Sequence, residues 1–240
     1  MIIDVEKFKK KFYPDNLKDG TLIFYAWLRQ YVKKDFVVLN LGAGQTAERK
    51  VKSLKKEVKE VIGIDIDTVV LQNKDLDKAV VIKKGDKLPF TDNYFDLIWS
   101  DFVLEHVEDP LMFLSEVKRV LKPGASFFFR TPNQYHYVSL ISIITPHWFH
   151  ELVANRARGL SSTEHDIYPT FYRLNTKRAI LKNANMLGFK NIELRFIECD
   201  PSYMVFNPVA FLIGVMYERF VNSRNVLSGF RANIFGRLEK

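Results

Sequence analysis

The sequence predicts an α/β fold, an open and mostly parallel sheet with helices on both faces, and three observations carry that expectation. Val37-Val38-Leu39-Asn40-Leu41 is a short uncharged aliphatic run followed at once by Gly42-Ala43-Gly44, the pattern of a buried parallel strand that turns tightly at its carboxyl end. A second run, Val61-Ile62-Gly63-Ile64, ends on Asp65, twenty-one residues after Gly44. Further on, Leu111, Leu114, Val117, Val120 and Leu121 recur at helical spacing and lead into the strand Phe127-Phe128-Phe129. Open α/β sheets bind ligands at the carboxyl ends of their strands. The glycine loop lets main chain approach such a ligand, and Asp65 supplies an acceptor for a ribose diol, so the two together mark a nucleoside crevice.

The elements follow in order. Residues 1–35 read as an amino-terminal helical cap whose apolar face is Leu22, Ile23, Ala26, Trp27 and Tyr31. Lys50, Lys52, Lys55, Lys56 and Lys59 decorate a short helix after the glycine loop and read as a solvated face, and another helix begins at Thr68. In Phe95-Asp96-Leu97-Ile98-Trp99 apolar residues bracket one acid, as in a buried strand that starts near the surface. Asp109-Pro110 places an N-cap before a proline at the first helical position, and Lys122-Pro123-Gly124 ends that helix. Residues 36–132 form the cofactor-binding half, and residues 133–174 an aromatic- and histidine-rich insertion. Asn175 or Thr176 caps a helix through Leu187, closed by Gly188, and Asn191–Ile197 alternates as a strand. Pro201-Ser202 turns the chain into Tyr203-Met204-Val205-Phe206, its expected hairpin partner, so residues 175–207 close the sheet. Residues 208–240 are a basic, apolar tail.

Composition bounds the function. With 240 residues, 47% of them hydrophobic, the chain can bury a full core. The single cysteine, Cys199, excludes an internal disulfide framework and reads as a buried small residue. Glu6, Lys7, Lys9, Lys10 and Lys11 interrupt any apolar leader, and no run approaches the ~20 apolar residues that span a bilayer, so a cytoplasmic location is expected, peripheral to the membrane at most. The net charge of +8 suits an anionic partner, with nucleic acid not expected.

Gly42-Ala43-Gly44-Gln45-Thr46-Ala47 fits the G-x-G-x-x-G/A fingerprint of dinucleotide enzymes, which keeps an NAD(P)-dependent oxidoreductase as one alternative. The segment that follows points elsewhere. Gly85-Asp86 precedes Leu88-Pro89-Phe90, then Tyr94 to Ser100, then Leu104-Glu105-His106-Val107-Glu108-Asp109-Pro110, Glu116, and Arg119-Val120-Leu121-Lys122-Pro123-Gly124. This ordered series resembles the UbiE/type 11 group of class I S-adenosylmethionine-dependent methyltransferases over residues 36–132. The resemblance implies a Rossmann-like methyltransferase fold, a seven-stranded, mostly parallel sheet with an antiparallel final strand, and S-adenosyl-L-methionine as cofactor.

It also implies site residues. Gly42, Ala43 and Gly44 bring main chain to the cofactor, Asp65 accepts from both ribose hydroxyls, and Asp86 accepts from the adenine amino group. Asn40, Ile66, Lys87 and Asp101 complete the set. Asn40 stands where the group usually has an acid, Gln45 where a third glycine is common, and Ala125 replaces a second glycine after Pro123. An amide still accepts a hydrogen bond, so weaker cofactor binding is expected, not its loss. These departures also keep open a noncatalytic nucleoside-binding partner protein.

For chemistry, His106 is the candidate general base, because histidine titrates near neutrality and this one falls in a family motif after the fourth strand. His165, between Glu164 and Asp166, is the second candidate. His136, His147 and His150 show no metal-ligand pattern, and no metal is expected. Tyr135, Trp148, Tyr168, Tyr172 and Arg173 are candidate walls of an acceptor lid, for a small-molecule or lipid-linked acceptor methylated at oxygen. In the tail, Pro208 opens a helix, and Arg219, Arg224, Arg231 and Arg237 alternate with Phe220, Val221, Phe230, Ile234 and Phe235. Two readings stand: a helix lying on an anionic membrane, or a segment packed on the core or on a second subunit. Neither the acceptor nor the oligomeric state is legible.

Overall fold

The computed structural model describes residues 10–14, 18–144, 168–201, 204 and 207–240. Its strands are β1 Val37–Leu41, β2 Glu60–Asp65, β3 Lys78–Val81, β4 Phe95–Asp101, β5 Leu121–Pro132, β6 Lys190–Ile197 and β7 Asn233–Glu239, in one sheet ordered β3-β2-β1-β4-β5-β7-β6. The strands from β3 to β5 pair in parallel. β7 runs against them: Lys240 N–H donates to Ala125 O at 2.9 Å and Gly124 N–H to Lys240 O at 3.1 Å, while Asn133 N–H donates to Ala232 O at 2.8 Å at the opposite end. This is the Rossmann-like methyltransferase sheet, and an antiparallel strand inside it is foreign to the dinucleotide-binding arrangement.

The antiparallel strand comes from an unexpected place. Tyr203–Phe206 was the sequence's candidate; Met204 lies in a short helical turn, and Tyr203, Val205 and Phe206 fall outside the described residues. Instead the tail supplies β7, whose Ile234, Phe235 and Leu238 are wholly buried. Arg237, read as a surface cation, folds back onto Glu239, Ser126 and Tyr31.

The crossovers from β1 to β2 and from β2 to β3 carry short 3-10 turns, Lys50–Lys52 and Thr68–Gln72, in place of full helices. In the first, the lysines leave too few apolar positions for a helical stripe, and Leu54 and Val58 alone anchor the connection in the core.

Helix α1 spans Gly20–Arg29, α2 Pro110–Val120, α3 Tyr137–Ile144, α4 Lys177–Met186 and α5 Pro208–Asn222. α1 buries Phe24, Tyr25, Trp27 and Leu28, whereas Ala26 is exposed and Leu22 and Ile23 are half-buried, so the buried face is rotated from the expected one. The larger rings decide this: Phe24 meets Phe235 edge-on at 5.3 Å, and Trp27 meets Phe128 at 5.1 Å. α2 begins as expected, Asp109 accepting from the N–H groups of Leu111 and Met112 with Pro110 at the first position. It passes straight into β5 at Leu121, and Lys122-Pro123-Gly124 lies within that strand's irregular start. Thr176, not Asn175, caps α4.

The chain divides into two compact units. One comprises Phe24–Thr131, Thr170–Arg195 and Ile234–Lys240 and holds most of the sheet; the other comprises Met1–Ile23, Pro132–Pro169 and Phe196–Asn233. In the latter, α5 packs Phe211 against Phe12 and Tyr13, and Gly214 lies so close to Pro201 that a Cβ there would sit 2.5 Å from it.

Gly236 on β7 faces the buried ring of Phe129 on β5, and a Cβ would lie 2.0 Å from its Cζ. With Phe127 and Phe128 equally buried alongside, the ring has little room to move. Gly236→Ala is expected to destabilise the fold by about 1–3 kcal/mol, the usual cost of overpacking, read as a lower urea midpoint at unchanged slope.

Candidate cofactor and active site

The site is built on the loop that leaves β1. Gly42 and Gly44 have φ of 71° and 51°, left-handed conformations that favour glycine. The N–H groups of Gly42 and Ala43 donate to Ile64 O at 2.8 and 3.1 Å, fastening the turn to β2. A Cβ on Gly42 would lie 2.3 Å from Val103 Cγ2, in the loop after β4, while a Cβ on Gly44 would meet nothing within 4 Å. The first glycine is required by packing, and the second borders open space.

Asp65, the last residue of β2, accepts from Gly44 N–H through Oδ2 at 2.8 Å and from Asp67 N–H through Oδ1 at 3.0 Å. An ionised carboxylate offers about four acceptor positions, so two hydroxyl donors can still be served. Sequence reasoning missed Asn73, whose buried amide donates to the carbonyls of Ala43, Gly44 and Gln45 at 3.0, 3.0 and 3.1 Å. Asp75 likewise accepts from Ala47 N–H at 2.9 Å. These two side chains brace the loop where a long helix would otherwise begin.

Two cavities open at this edge of the sheet. One, of about 660 Å³, lies beyond β3 and is lined by Ile66, Val81, Lys84, Asp86, Lys87 and Pro89, among others. Ile66 and Val81 expose apolar surface there, and Asp86 accepts from Lys83 N–H through one oxygen at 3.3 Å. Apolar walls with a carboxylate at the rim suit a flat base carrying an amino group. The other, of about 320 Å³, is lined by Asn40, Gly42, Ala43, Tyr25, Lys52 and Asp101, among others, and its wall is polar. It suits an amino-acid end.

Asp101, at the end of β4, stands opposite Arg130 in the parallel register and is gripped by it, Nε to Oδ1 at 2.5 Å and Nη2 to Oδ2 at 2.6 Å. Lys52 Nζ lies 3.5 Å away, and Tyr25 donates its hydroxyl at the same distance. Burial, together with the neighbouring Asp101 charge, pushes the Tyr25 phenol up and keeps it neutral. Arg130 and Lys52 thus face Asp101; Arg49, Glu48 and Asp75 also line this cavity, and Asn40 adds no charge.

His106 closes a 3-10 turn, Leu104–His106, just after β4, and is half-buried. Its neighbour Glu105 was missed by the sequence reading; the signal was an acid set between Leu104 and Val107 in an otherwise apolar stretch. Glu105 is buried and accepts from Thr131 Oγ1 at 3.1 Å, and that hydroxyl accepts from Asn175 Nδ2 at 2.6 Å. Burial, outweighing the bond from Thr131, raises its carboxyl to about 7. Its carbonyl takes the N–H groups of Phe171 and Tyr172, at 2.7 and 3.2 Å, so the segment that returns from the insertion is tied to the turn bearing His106.

The expected lid residues divide. Arg173 donates to Glu108 O at 2.6 Å and so braces the same region. Tyr135 and Tyr168 are exposed and belong to the other unit. His136 there is buried, its Nε2 3.6 Å from Glu198 Oε1. Trp148, His147, His150 and His165 lie outside the described residues.

Residues 39–129 match the family model described as a methyltransferase domain. Over 151 residues the chain is 42% identical to a demethylmenaquinone methyltransferase of Staphylococcus saprophyticus, a match covering 57% of this chain and 62% of that protein. The chain thus spans less than two thirds of the length of this curated relative, and 41% and 36% of two others. Among solved structures, an S-adenosylmethionine-dependent methyltransferase of Archaeoglobus fulgidus has a TM-score of 0.57 at 18% identity, covering 99% of this chain and 100% of that one. A chain from the complex between the Haloferax volcanii Trm112 methyltransferase activator and a putative methyltransferase has a TM-score of 0.59 at 17% identity, covering 98% and 97%. At these identities the shared property is the fold.

Motif order, sheet order and site together define a class I S-adenosylmethionine-dependent methyltransferase domain. Within that class residues 39–129 are similar to the UbiE/type 11 group, and the cofactor of the class is S-adenosyl-L-methionine. The open space at Gly44, the apolar cavity rimmed by Asp86 and the polar cavity at Asn40 fit that cofactor.

Asp65→Ala removes the anchor of Gly44 N–H and, with it, the expected ribose acceptor. Charge-assisted hydrogen bonds contribute roughly 1.5–3 kcal/mol each, so S-adenosylhomocysteine affinity by calorimetry is expected to fall at least about tenfold.

Glu105 makes a pH prediction. Its folded pKa of about 7 stands above the ordinary 4.5, so between those values the folded chain holds a proton that the unfolded chain releases. The contribution to stability is therefore full below about pH 4.5 and is lost as pH rises through 7. Glu105→Gln is expected to flatten this fall, worth up to about 3 kcal/mol, in unfolding measured from pH 5 to 8.

Proposed function

We propose that this chain transfers the methyl group of S-adenosyl-L-methionine to a small-molecule or lipid-linked acceptor, through a hydroxyl that the enzyme deprotonates. The observation that carries the reading is the Asp65–Gly44 hydrogen bond with a base-shaped cavity on one side and a polar one on the other. S-adenosyl-L-methionine supplies an electrophilic methyl on a sulfonium. The chain's own residues then have three tasks: to bind, to align and to move a proton.

Ile66 and Val81 would flank the adenine with Asp86 at its amino group, and Asp65 would hold the ribose. Lys52, beside the Asp101–Arg130 pair, would attract the methionine carboxylate, with Asn40 accepting from the ammonium. Lys87 extends the rim on the adenine side. Alignment of acceptor and methyl supplies much of the acceleration in such a transfer. His106, at the carboxyl end of β4, would take the proton of the acceptor hydroxyl. Residue 106 is half-buried, in the turn just after β4.

A second reading concerns the attacked atom. The relative from Staphylococcus saprophyticus is named for demethylmenaquinone, a quinone acceptor. In a quinol-like ring, loss of the hydroxyl proton makes the oxygen and the adjacent ring carbon both nucleophilic, so the same base serves methylation at either. Methyl labelling of cell-extract fractions, with the product identified by mass and by its hydrolytic stability, separates an ether from a carbon–carbon bond.

His106→Ala is expected to reduce turnover by about 100-fold or more while S-adenosylhomocysteine affinity stays within about twofold of the parent. Parallel losses in both would make His106 a support of the cofactor site. Full turnover would leave alignment alone as the source of rate.

A further inference from the structure

Helix α5 is apolar on two faces. One carries Phe211, Val215 and Val221, which are buried. The other carries Val209, Ile213, Met216 and Phe220, exposed by 66%, 57%, 72% and 62%. Their spacing of four, three and four residues places them in one continuous stripe. Leu212 borders the stripe, and the turn after the helix, Asn225–Phe230, adds Val226 and Phe230, also exposed. Single exposed apolar residues need no explanation, but a stripe of this extent marks a surface that is covered in use.

The charges decide what covers it. Between Pro208 and Phe230 the sequence has one acid, Glu218, and two bases, Arg219 and Arg224. Glu218 is buried, accepts from Tyr13 and Asn222, and pairs both with Lys18 and with Arg219, whose Nε lies 3.3 Å from its Oε2. Arg219 and Arg224 are nonetheless exposed and outnumber that one buried acid, so the charge shown beside the stripe is positive. A second copy of the chain laid on this face would bring arginines against arginines with no exposed acid from this segment between them. Anionic lipid offers both complements at once, acyl chains for the stripe and phosphates for the guanidinium groups. At 15 residues, about 22 Å, the helix is too short to cross a bilayer and long enough to lie in its surface.

We propose that α5 is an in-plane membrane-docking helix, with Val209, Ile213, Met216 and Phe220 set among the acyl chains of an anionic membrane and Arg219 and Arg224 at its phosphates. The proposal is independent of the methyl-transfer reading.

The test is flotation of the full chain with vesicles of phosphatidylcholine alone and of phosphatidylcholine with phosphatidylglycerol. Binding to the anionic vesicles is expected, weakened by raised salt. Met216→Ser with Phe220→Ser is expected to lower partitioning by roughly tenfold or more. Arg219→Gln with Arg224→Gln should abolish the preference for anionic vesicles. Both variants change exposed residues, and an unchanged circular dichroism spectrum and melting temperature show that they are folded. A parent that ignores anionic vesicles overturns the proposal, as does a serine variant that floats as the parent does. A parent dimer that dissociates on Met216→Ser with Phe220→Ser, with no flotation, overturns it in favour of self-association.

Discussion

The site depends on one carboxylate. Asp65 closes the end of β2 and holds Gly44 N–H, so the position of the loop that leaves β1 is fixed from the neighbouring strand. In a fold of this kind a helix commonly follows the glycine loop and stiffens it. Here a short 3-10 turn and two side chains, Asn73 and Asp75, take over that task. Hydrogen bonds to side chains are weaker constraints than a helix, and the loop's conformation is correspondingly tied to the charge on Asp65. On the proposed reading the ribose hydroxyls share these oxygens with Gly44 N–H, which makes ligand binding and loop order one equilibrium.

What was legible in the sequence was local. β1, β2 and β4 announce themselves by uncharged β-branched runs, and α2 by a cap, a proline and a period of 3.6, because each signal lies within the element that it specifies. Glycine loop and Asp65 were legible for the same reason. β7 was not: Arg231 before it and Arg237 within it look solvated until their partners, the Phe196 carbonyl in one case and Glu239, Ser126 and Tyr31 in the other, are in place. The buried face of α1 was misjudged because Leu22, Ile23 and Ala26 satisfy a helical period as well as the rings do, and packing against Phe128 and Phe235 settles the choice. Glu105 escaped because a motif reading weighs the histidine beside it, while its burial is a property of the assembled core.

The two acids near the end of β4 are treated in opposite ways by the fold. Asp101 lies between two cations, gripped by Arg130 and approached by Lys52. Glu105 receives a hydroxyl and no cation, so burial governs it and the carboxyl titrates near neutrality. Four residues apart in sequence, they differ in that one is paired with cations and the other is not. The second sits next to His106, and its backbone carbonyl, not its carboxyl, accepts from the N–H groups of Phe171 and Tyr172.

The order of strands carries a consequence for how the chain is made. β7 is the last strand in sequence, yet it lies between β5 and β6. Until Asn233–Glu239 has been synthesised, β5 and β6 have no partner for their facing edges, and β6 has no place in the sheet. A nascent chain can assemble β1 to β5, all of which precede β6, while two unpaired edges wait for residues more than thirty positions downstream of β6. Such a chain is exposed to mispairing until β7 has been made.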